Sequence, residues 1–201
     1  MSWFLRSGIP ADTVRLVPTR ILMVCTANVC RSPMAAAILQ HHLDAVGIDA
    51  VVTSAGTRGP NGLPVDPEAV AAVSRWGIDL HAHQPRLFTK DVGVEEGADL
   101  IITMERQHLR HVVAFDRRTW VRTYTLKELI RRIANAGPMT PGNLAVWTSA
   151  MGTGRRAADM MDDSPLDDIA DPYGQGRAAV NRTADELYLF LHGLTYTVPW
   201  P

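Results

Sequence analysis

Cysteine is scarce, with only Cys25 and Cys30 in 201 residues. Two cysteines are too few for a disulfide-built scaffold, and a separation of five is not a usual structural zinc spacing. A reducing cytoplasm is therefore the expected setting. No apolar run approaches the roughly 20 residues that a helical membrane span requires, so none is expected. The stretch Met1-Ser2-Trp3-Phe4-Leu5-Arg6 has one basic residue and no uninterrupted apolar core, so no secretory leader is expected. Neither charge sign dominates: 20 Lys and Arg against 21 Asp and Glu leave −1, which gives no global pull toward nucleic acid or anionic lipid. What is present is ordinary for a globular chain, 46% hydrophobic and 20% charged residues. That excludes wholly disordered, collagen-like and coiled-coil classes. At about 150 residues per domain the length corresponds to roughly 1.3 domains, so one domain with extensions is expected.

Residues 1–19 lack periodicity and read as an N-terminal extension. Residues 20–201 read as one domain. Arg20-Ile21-Leu22-Met23-Val24 is a short, continuously apolar run that suits a strand buried on both faces. Ser32-Pro33 then predicts a helix start with Ser32 as N-cap, the helix running through Met34–Val46 to Gly47. The alternation continues with strands at 50–54, 98–103 and 120–125. Helices are predicted from Asp66-Pro67 to about Trp76, over 104–113 and 126–134, and from about Gln175 or Gly176 to Leu191. Strands alternating with helices imply right-handed crossovers and a parallel, doubly wound sheet. The expected fold is α/β, a three-layer sandwich around a four-stranded parallel sheet. Residues 136–168 break the pattern with Gly137, Pro138, Pro141 and Gly142, contain a candidate helix at 144–151, and read as an insertion within the domain.

The chemistry sits between the first strand and the first helix, in Cys25-Thr26-Ala27-Asn28-Val29-Cys30-Arg31-Ser32-Pro33. A loop ending at a helix N-terminus has backbone N–H groups without internal partners, and the helix dipole favours an anion there. Successive amides of Thr26, Ala27, Asn28, Val29, Cys30, Arg31 and Ser32 can curl into an anion nest. Arg31 can add a two-pronged fork to a phosphate. Cys25 sits at the floor of that nest, where the positive field favours a thiolate in line with phosphorus. Ser32 can hydrogen-bond the sulfur. A lone cysteine is more often a small buried hydrophobe, but here the strand before and the helix start after it agree with the functional reading.

Residues Val24–Met34 resemble the signature of the low-molecular-weight protein tyrosine phosphatases. Ser54-Ala55-Gly56-Thr57, Pro64-Val65-Asp66-Pro67, Gly77-Ile78-Asp79, His83-Gln84-Pro85-Arg86, Ile101-Ile102-Thr103-Met104 and Asp171-Pro172-Tyr173-Gly174 are similar to further family segments. The resemblance covers about residues 20–194, interrupted at 136–168. It implies hydrolysis of phosphotyrosine or another aryl phosphate through a phosphocysteine on Cys25. Asp171 serves as the acid for the leaving oxygen, and Arg31 with the loop amides stabilises the charge. Asn28, Ser32, Ser54 and His83 are implied to hold the loop open, and Tyr173 to wall the pocket. Neither a metal nor another cofactor is expected. Phosphate or sulfate is expected to fit the loop. The implied partner is a phosphorylated protein, a bacterial tyrosine kinase or polysaccharide-assembly system being what some relatives suggest.

The family's similar cysteine pair implies that Cys30 can trap an oxidised Cys25 as a disulfide. Gly174 after Tyr173, and Arg58-Gly59-Pro60-Asn61 where relatives often carry Trp, make the rim less aromatic. Two alternatives stay open: a phosphoarginine phosphatase of the same family, with Val29 against it and Asp-Pro-Tyr-Gly for it, and an arsenate reductase on the same fold using a small thiol. Asp167 and Asp168 compete with Asp171 but read as solvated turn residues. The local pairs among the seven histidines lack partners at ligand spacing, so metal binding is not expected. Arg106, Arg110, Arg117, Arg118 and Arg122 read as a solvated face.

Overall fold

A computed structural model describes residues 18–59, 62–136, 144–161 and 164–200. Residues 1–17 of the expected extension, the breakers Gly137, Pro138, Pro141 and Gly142, and part of the acidic run after Asp159 lie outside the described residues. Strands β1 (Thr19–Cys25), β2 (Ala50–Gly56), β3 (Leu100–Thr103) and β4 (Thr123–Thr125) form one sheet in the order β2-β1-β3-β4. Every pairing is parallel. The helices are α1 (Arg31–Ala45), α2 (Pro67–Ser74), α3 (Arg106–Phe115), α4 (Leu126–Ala136), α5 (Leu144–Met151) and α6 (Arg177–Thr197).

The apolar run of β1 is explained by burial on both faces. Ile21 and Met23 join a cluster with Met34, Ile38 and Leu39 of α1 and Leu187 and Leu191 of α6. Leu22 and Val24, one step out of phase, join a second cluster with Phe88, Ile101 and Val112 of α3. This period-2 division, with helices on both sides, makes the three layers. Register brings Cys25 opposite Gly56 and Val24 opposite Thr103. The chain therefore leaves β1, β2 and β3 at one edge of the sheet. Strand order reverses between β1 and β3, and ligands of open α/β sheets bind in the crevice at such a point.

Two local expectations differ from the structure, and one turn is not anticipated by the sequence. Helix α1 starts at Arg31 with Cys30 as N-cap and no side-chain cap, because the Ser32 hydroxyl is engaged by Cys25 and Asn28 instead. Residues Arg117–Arg122 form a 3-10 turn, so β4 is shorter than the apolar pattern predicts. A π-helical turn at Asp91–Glu95 carries no periodic signal.

The segment around α5 packs on the sheet end at β4. Trp147 and Met151 belong to the main apolar cluster, and Tyr124 Oη donates to the Thr148 carbonyl at 2.6 Å. The Arg155 guanidinium lies between the rings of Trp120 and Tyr124, at 3.5 and 4.2 Å, and its Nε meets Glu128 at 2.9 Å. A cation held between two π faces and a carboxylate is a desolvated clamp.

Asp167 is not a solvated turn residue. Its side chain is fully buried and paired with Arg106 and Arg131. Arg106 also donates to the Asp159 carbonyl, and Arg110 to the Met160 carbonyl, so these two arginines are not part of a solvated face; Arg118 is, paired with Asp116. Burial alone raises the Asp167 carboxyl, but hydrogen bonds and charge from Arg131 and Arg106 outweigh it and hold the group below 3.8. A carboxylate stabilised in the fold contributes fully above its unfolded value and loses that contribution as pH falls through the lower folded value. Asp167→Asn leaves two arginines without their shared anion. It is expected to destabilise by about 3 kcal/mol or more, lowering Tm by roughly 6–12 °C in thermal denaturation. The fall of Tm below pH 4 should be shallower in the variant than in the parent.

Candidate active site

The loop from Cys25 to Arg31 is built on backbone contacts with the chain leaving β2. The Cys25 carbonyl accepts from Thr57 N–H and the Thr26 carbonyl from Arg58 N–H, both at 2.9 Å. The Val29 carbonyl accepts from Asp66 N–H at 2.8 Å. Gly56 lies directly beneath: a Cβ there would come within 2.7 Å of the Thr26 carbonyl oxygen and the Ala27 carbonyl carbon. Only glycine lets the two backbones approach this closely.

Asn28 has φ +60°, the one left-handed non-glycine residue among those described. Asn tolerates this conformation better than most residues, and the neighbours over-determine it. Its amide nitrogen donates to Ser32 Oγ at 3.0 Å and to Ser54 Oγ at 2.8 Å. Its side-chain oxygen accepts from Arg86 N–H at 2.9 Å, and its carbonyl from His83 Nε2 at 3.0 Å. Burial keeps the His83 ring toward its neutral form, partly opposed by the bond to Asn28. A residue of reversed backbone hand within a run of right-handed ones is the pattern from which anion nests are built.

Cys25 is buried, and its Sγ lies 2.9 Å from Ser32 Oγ. Arg31 is 1% exposed. Its Nη1 donates to the Glu105 carboxylate and, at 2.9 Å, to the Ile169 carbonyl. Its Nη2 donates to Thr26 Oγ1 at 3.3 Å and meets Asp171 Oδ2 at 2.8 Å. Burial opposes charge on Glu105, but the Arg31 guanidinium outweighs it and holds the carboxyl below its ordinary range. Asp171 is half-exposed at the mouth, accepting from Tyr173 N–H at 3.3 Å. The Tyr173 ring is exposed beside it. The segment before Asp171 is anchored from within: Ile169 N–H donates to the Met104 carbonyl at 2.7 Å, and Asp168 accepts from Arg106 N–H at the start of α3.

Cys25, Asn28, Ser32, Ser54 and His83 thus form one hydrogen-bonded network, and Thr26, Arg31 and Asp171 form a second. Ala27, Val29 and Cys30 complete the loop backbone. Cys25 and Cys30 are both free thiols. Burial pushes the Cys30 thiol far up, with Asp66 and Cys25 adding to the effect. Among the described residues no cluster of three or more His, Cys, Asp or Glu side chains converges as a metal site. His41, His42 and His192 meet as rings near Tyr188.

The sequence reading missed Glu105, His108 and the Arg86 contacts. His108 Nε2 lies 2.9 Å from Thr26 Oγ1, and Arg86 Nε donates to the Ser54 carbonyl at 2.9 Å. A usable signal existed for the first two. Met104-Glu105-x-x-His108 follows β3, and a strand end beside β1 borders the same crevice.

Comparisons with known proteins identify the family and the fold. The model of the family described as low molecular weight phosphotyrosine protein phosphatase matches residues 20–137. A probable low molecular weight protein-tyrosine-phosphatase, EpsP, of Ralstonia solanacearum is 39% identical over 94 residues, 47% of this chain and 61% of the relative. The chain thus spans about three fifths of that relative's length. A protein-arginine-phosphatase of Bacillus subtilis is 36% identical over 111 residues, 55% of this chain and 71% of the relative. The crystal structure of a YwlE mutant from Bacillus subtilis superposes with a TM-score of 0.65 at 27% identity, covering 88% of this chain and 96% of that one. On the match over residues 20–137, the chain belongs to the low molecular weight phosphotyrosine protein phosphatase family.

Proposed function

We propose that this chain is a phosphatase that hydrolyses phosphotyrosine in proteins through a phosphocysteine intermediate. The observation that carries the reading is the set of contacts on one buried guanidinium. Arg31 reaches the mouth carboxylate of Asp171 at 2.8 Å from a loop whose floor is Cys25. On this reading the loop brings together a nucleophile, a cation for the transferred group and, through the Arg31–Asp171 contact, an acid for the leaving group.

In the first step the Cys25 thiolate attacks phosphorus and the P–O bond to the aryl group breaks. Asp171 in its acid form gives its proton to the departing oxygen. Ser32 accepts from Asn28, and its hydroxyl proton can go to the sulfur at 2.9 Å, nearer than the Ala55 carbonyl at 3.4 Å. That stabilises the thiolate as attacker and again as leaving group. Arg31 and the loop amides take the charge of the equatorial oxygens. In the second step the ionised Asp171 accepts a proton from water, whose oxygen attacks phosphorus. The S–P bond breaks, and phosphate leaves.

The setting we propose is the cytoplasm of a bacterial cell, supported by the two free thiols and by relatives named from bacteria. The partner is a phosphorylated protein, a tyrosine kinase among them. Cys30 serves as resolving thiol once a peroxide has oxidised Cys25 to the sulfenic acid: it attacks that sulfur, a disulfide forms and water leaves. Because burial keeps Cys30 protonated, this closure is slow.

A second reading, hydrolysis of phosphoarginine by the same two steps, is favoured by the Bacillus subtilis relative named protein-arginine-phosphatase. Hydrolysis of a small aryl phosphate in EDTA tests the main reading. Cys25→Ser should fall to background, and Asp171→Asn should lose roughly 10²–10⁴-fold in kcat. A folded parent protein without activity overturns it, and turnover of arsenate with a small thiol in its place indicates a reductase. Phosphotyrosine and phosphoarginine peptides compared by kcat/KM separate the two phosphatase readings, the tyrosine peptide being the expected winner.

A further inference from the structure

Thr26 follows Cys25, and its hydroxyl has an unusual set of neighbours. Oγ1 lies 2.9 Å from His108 Nε2 and 3.3 Å from Arg31 Nη2. His108 is 1% exposed, and its Nδ1 has no hydrogen-bond partner among the described residues. Those facts favour one position for the ring proton. With the proton on Nδ1, a buried N–H would have no acceptor, and Thr26 would spend its hydroxyl proton on Nε2. With the proton on Nε2, the ring donates to Thr26, and the unpaired atom is a bare acceptor. A buried donor without a partner is the rarer and costlier defect. Burial keeps the ring from taking a second proton, against the pull of Glu105 at 4.0 Å.

Thr26 Oγ1 then accepts twice, from His108 and from Arg31. A hydroxyl has two lone pairs and one proton. Both lone pairs are occupied, so the proton is the one function left. No acceptor among the described residues takes it, and the Cys25 sulfur is bonded to Ser32 instead. Thr26 Oγ1 and Asp171 Oδ2 share Arg31 Nη2 in the resting site, so an anion oxygen that replaces Asp171 on this guanidinium arrives next to a hydroxyl whose proton is uncommitted.

Resting on the phosphatase reading, we infer that the Thr26 hydroxyl is a dedicated donor to the transferred phosphoryl group and that His108 is the positioning residue that makes it one. The bond strengthens as charge accumulates on the equatorial oxygens, so its contribution belongs to the transition state rather than to substrate binding. His108 touches no substrate; it acts through the polarity it imposes on Thr26.

The test is a double-mutant cycle read on aryl phosphate hydrolysis, with each variant's fold checked by circular dichroism. Thr26→Val should lose kcat by roughly 10²-fold with KM little changed, while Thr26→Ser should stay within a few-fold of the parent. His108→Leu should lose kcat to a similar extent in the parent background and nothing further in the Thr26→Val background. His108→Gln, whose amide N–H can replace Nε2–H, should restore most of the rate. If His108→Leu does not fold, His108→Asn, too short to reach Thr26, takes its place in the cycle. Equal losses from the His108 variant in both backgrounds would reduce His108 to a packing residue and overturn the inference, as would an unaffected Thr26→Val. Absence of turnover by the parent itself is a different outcome, which removes the phosphatase reading and this inference with it.

Discussion

A guanidinium cannot be buried without acceptors, and Arg31 is 1% exposed. That constraint draws distant parts of the chain together. Its acceptors are the Glu105 carboxylate, 74 positions away, the Ile169 carbonyl, 138 positions away, and Asp171 beyond it. The near side is supplied by its own loop through Thr26. Removing one partner of a buried charge leaves the desolvation cost uncompensated. The turn after β3, the segment before α6 and the loop after β1 are therefore fixed relative to one another by one guanidinium. Sheet order supplies the frame, since β1 and β3 are neighbours and their ends open on the same crevice.

What could be read from the sequence was local in origin. The run 20–24 announces a two-faced strand, and Cys25 through Pro33 spells out a strand, an anion loop and a helix start within a few residues. Asp66-Pro67 is a helix start by short-range chemistry, with the Asp66 side chain accepting from Glu68 N–H at 2.8 Å. What escaped depends on neighbours far along the chain. Asp167 reads as a turn residue because turns are rich in Asp, yet its partners Arg106 and Arg131 lie 61 and 36 positions away. His108 reads as one of several helical histidines until β3 is known to lie beside β1. Ser32 looks like an N-cap because Ser-Pro commonly is one. Its hydroxyl is instead drawn to the sulfur and to Asn28, a choice made by tertiary contacts.

Arg106 links two parts of the molecule that sequence order separates. Its side chain pairs with Asp167 and reaches the Asp159 carbonyl, while its backbone N–H is capped by Asp168. The segment packed through Trp147 and Arg155 on the far end of the sheet is therefore joined, through one side chain, to the residues just ahead of Asp171. A displacement of either part is felt by the other, since the guanidinium that joins them is paired with the fully buried Asp167 carboxylate.

The 2.8 Å contact between Arg31 and Asp171 has a consequence for ionic behaviour. On the phosphatase reading proposed above, an oxyanion entering the loop would not meet a bare cation; it would take over an Arg31 nitrogen already held by a carboxylate. Binding is then an exchange of one anion for another, and much of the attraction gained is balanced by attraction surrendered. The free energy of entry is a difference between two ion pairs, each screened by salt in the same sense. On that reading the site would be buffered against ionic strength, and it would discriminate by how many loop amides an anion engages rather than by charge alone.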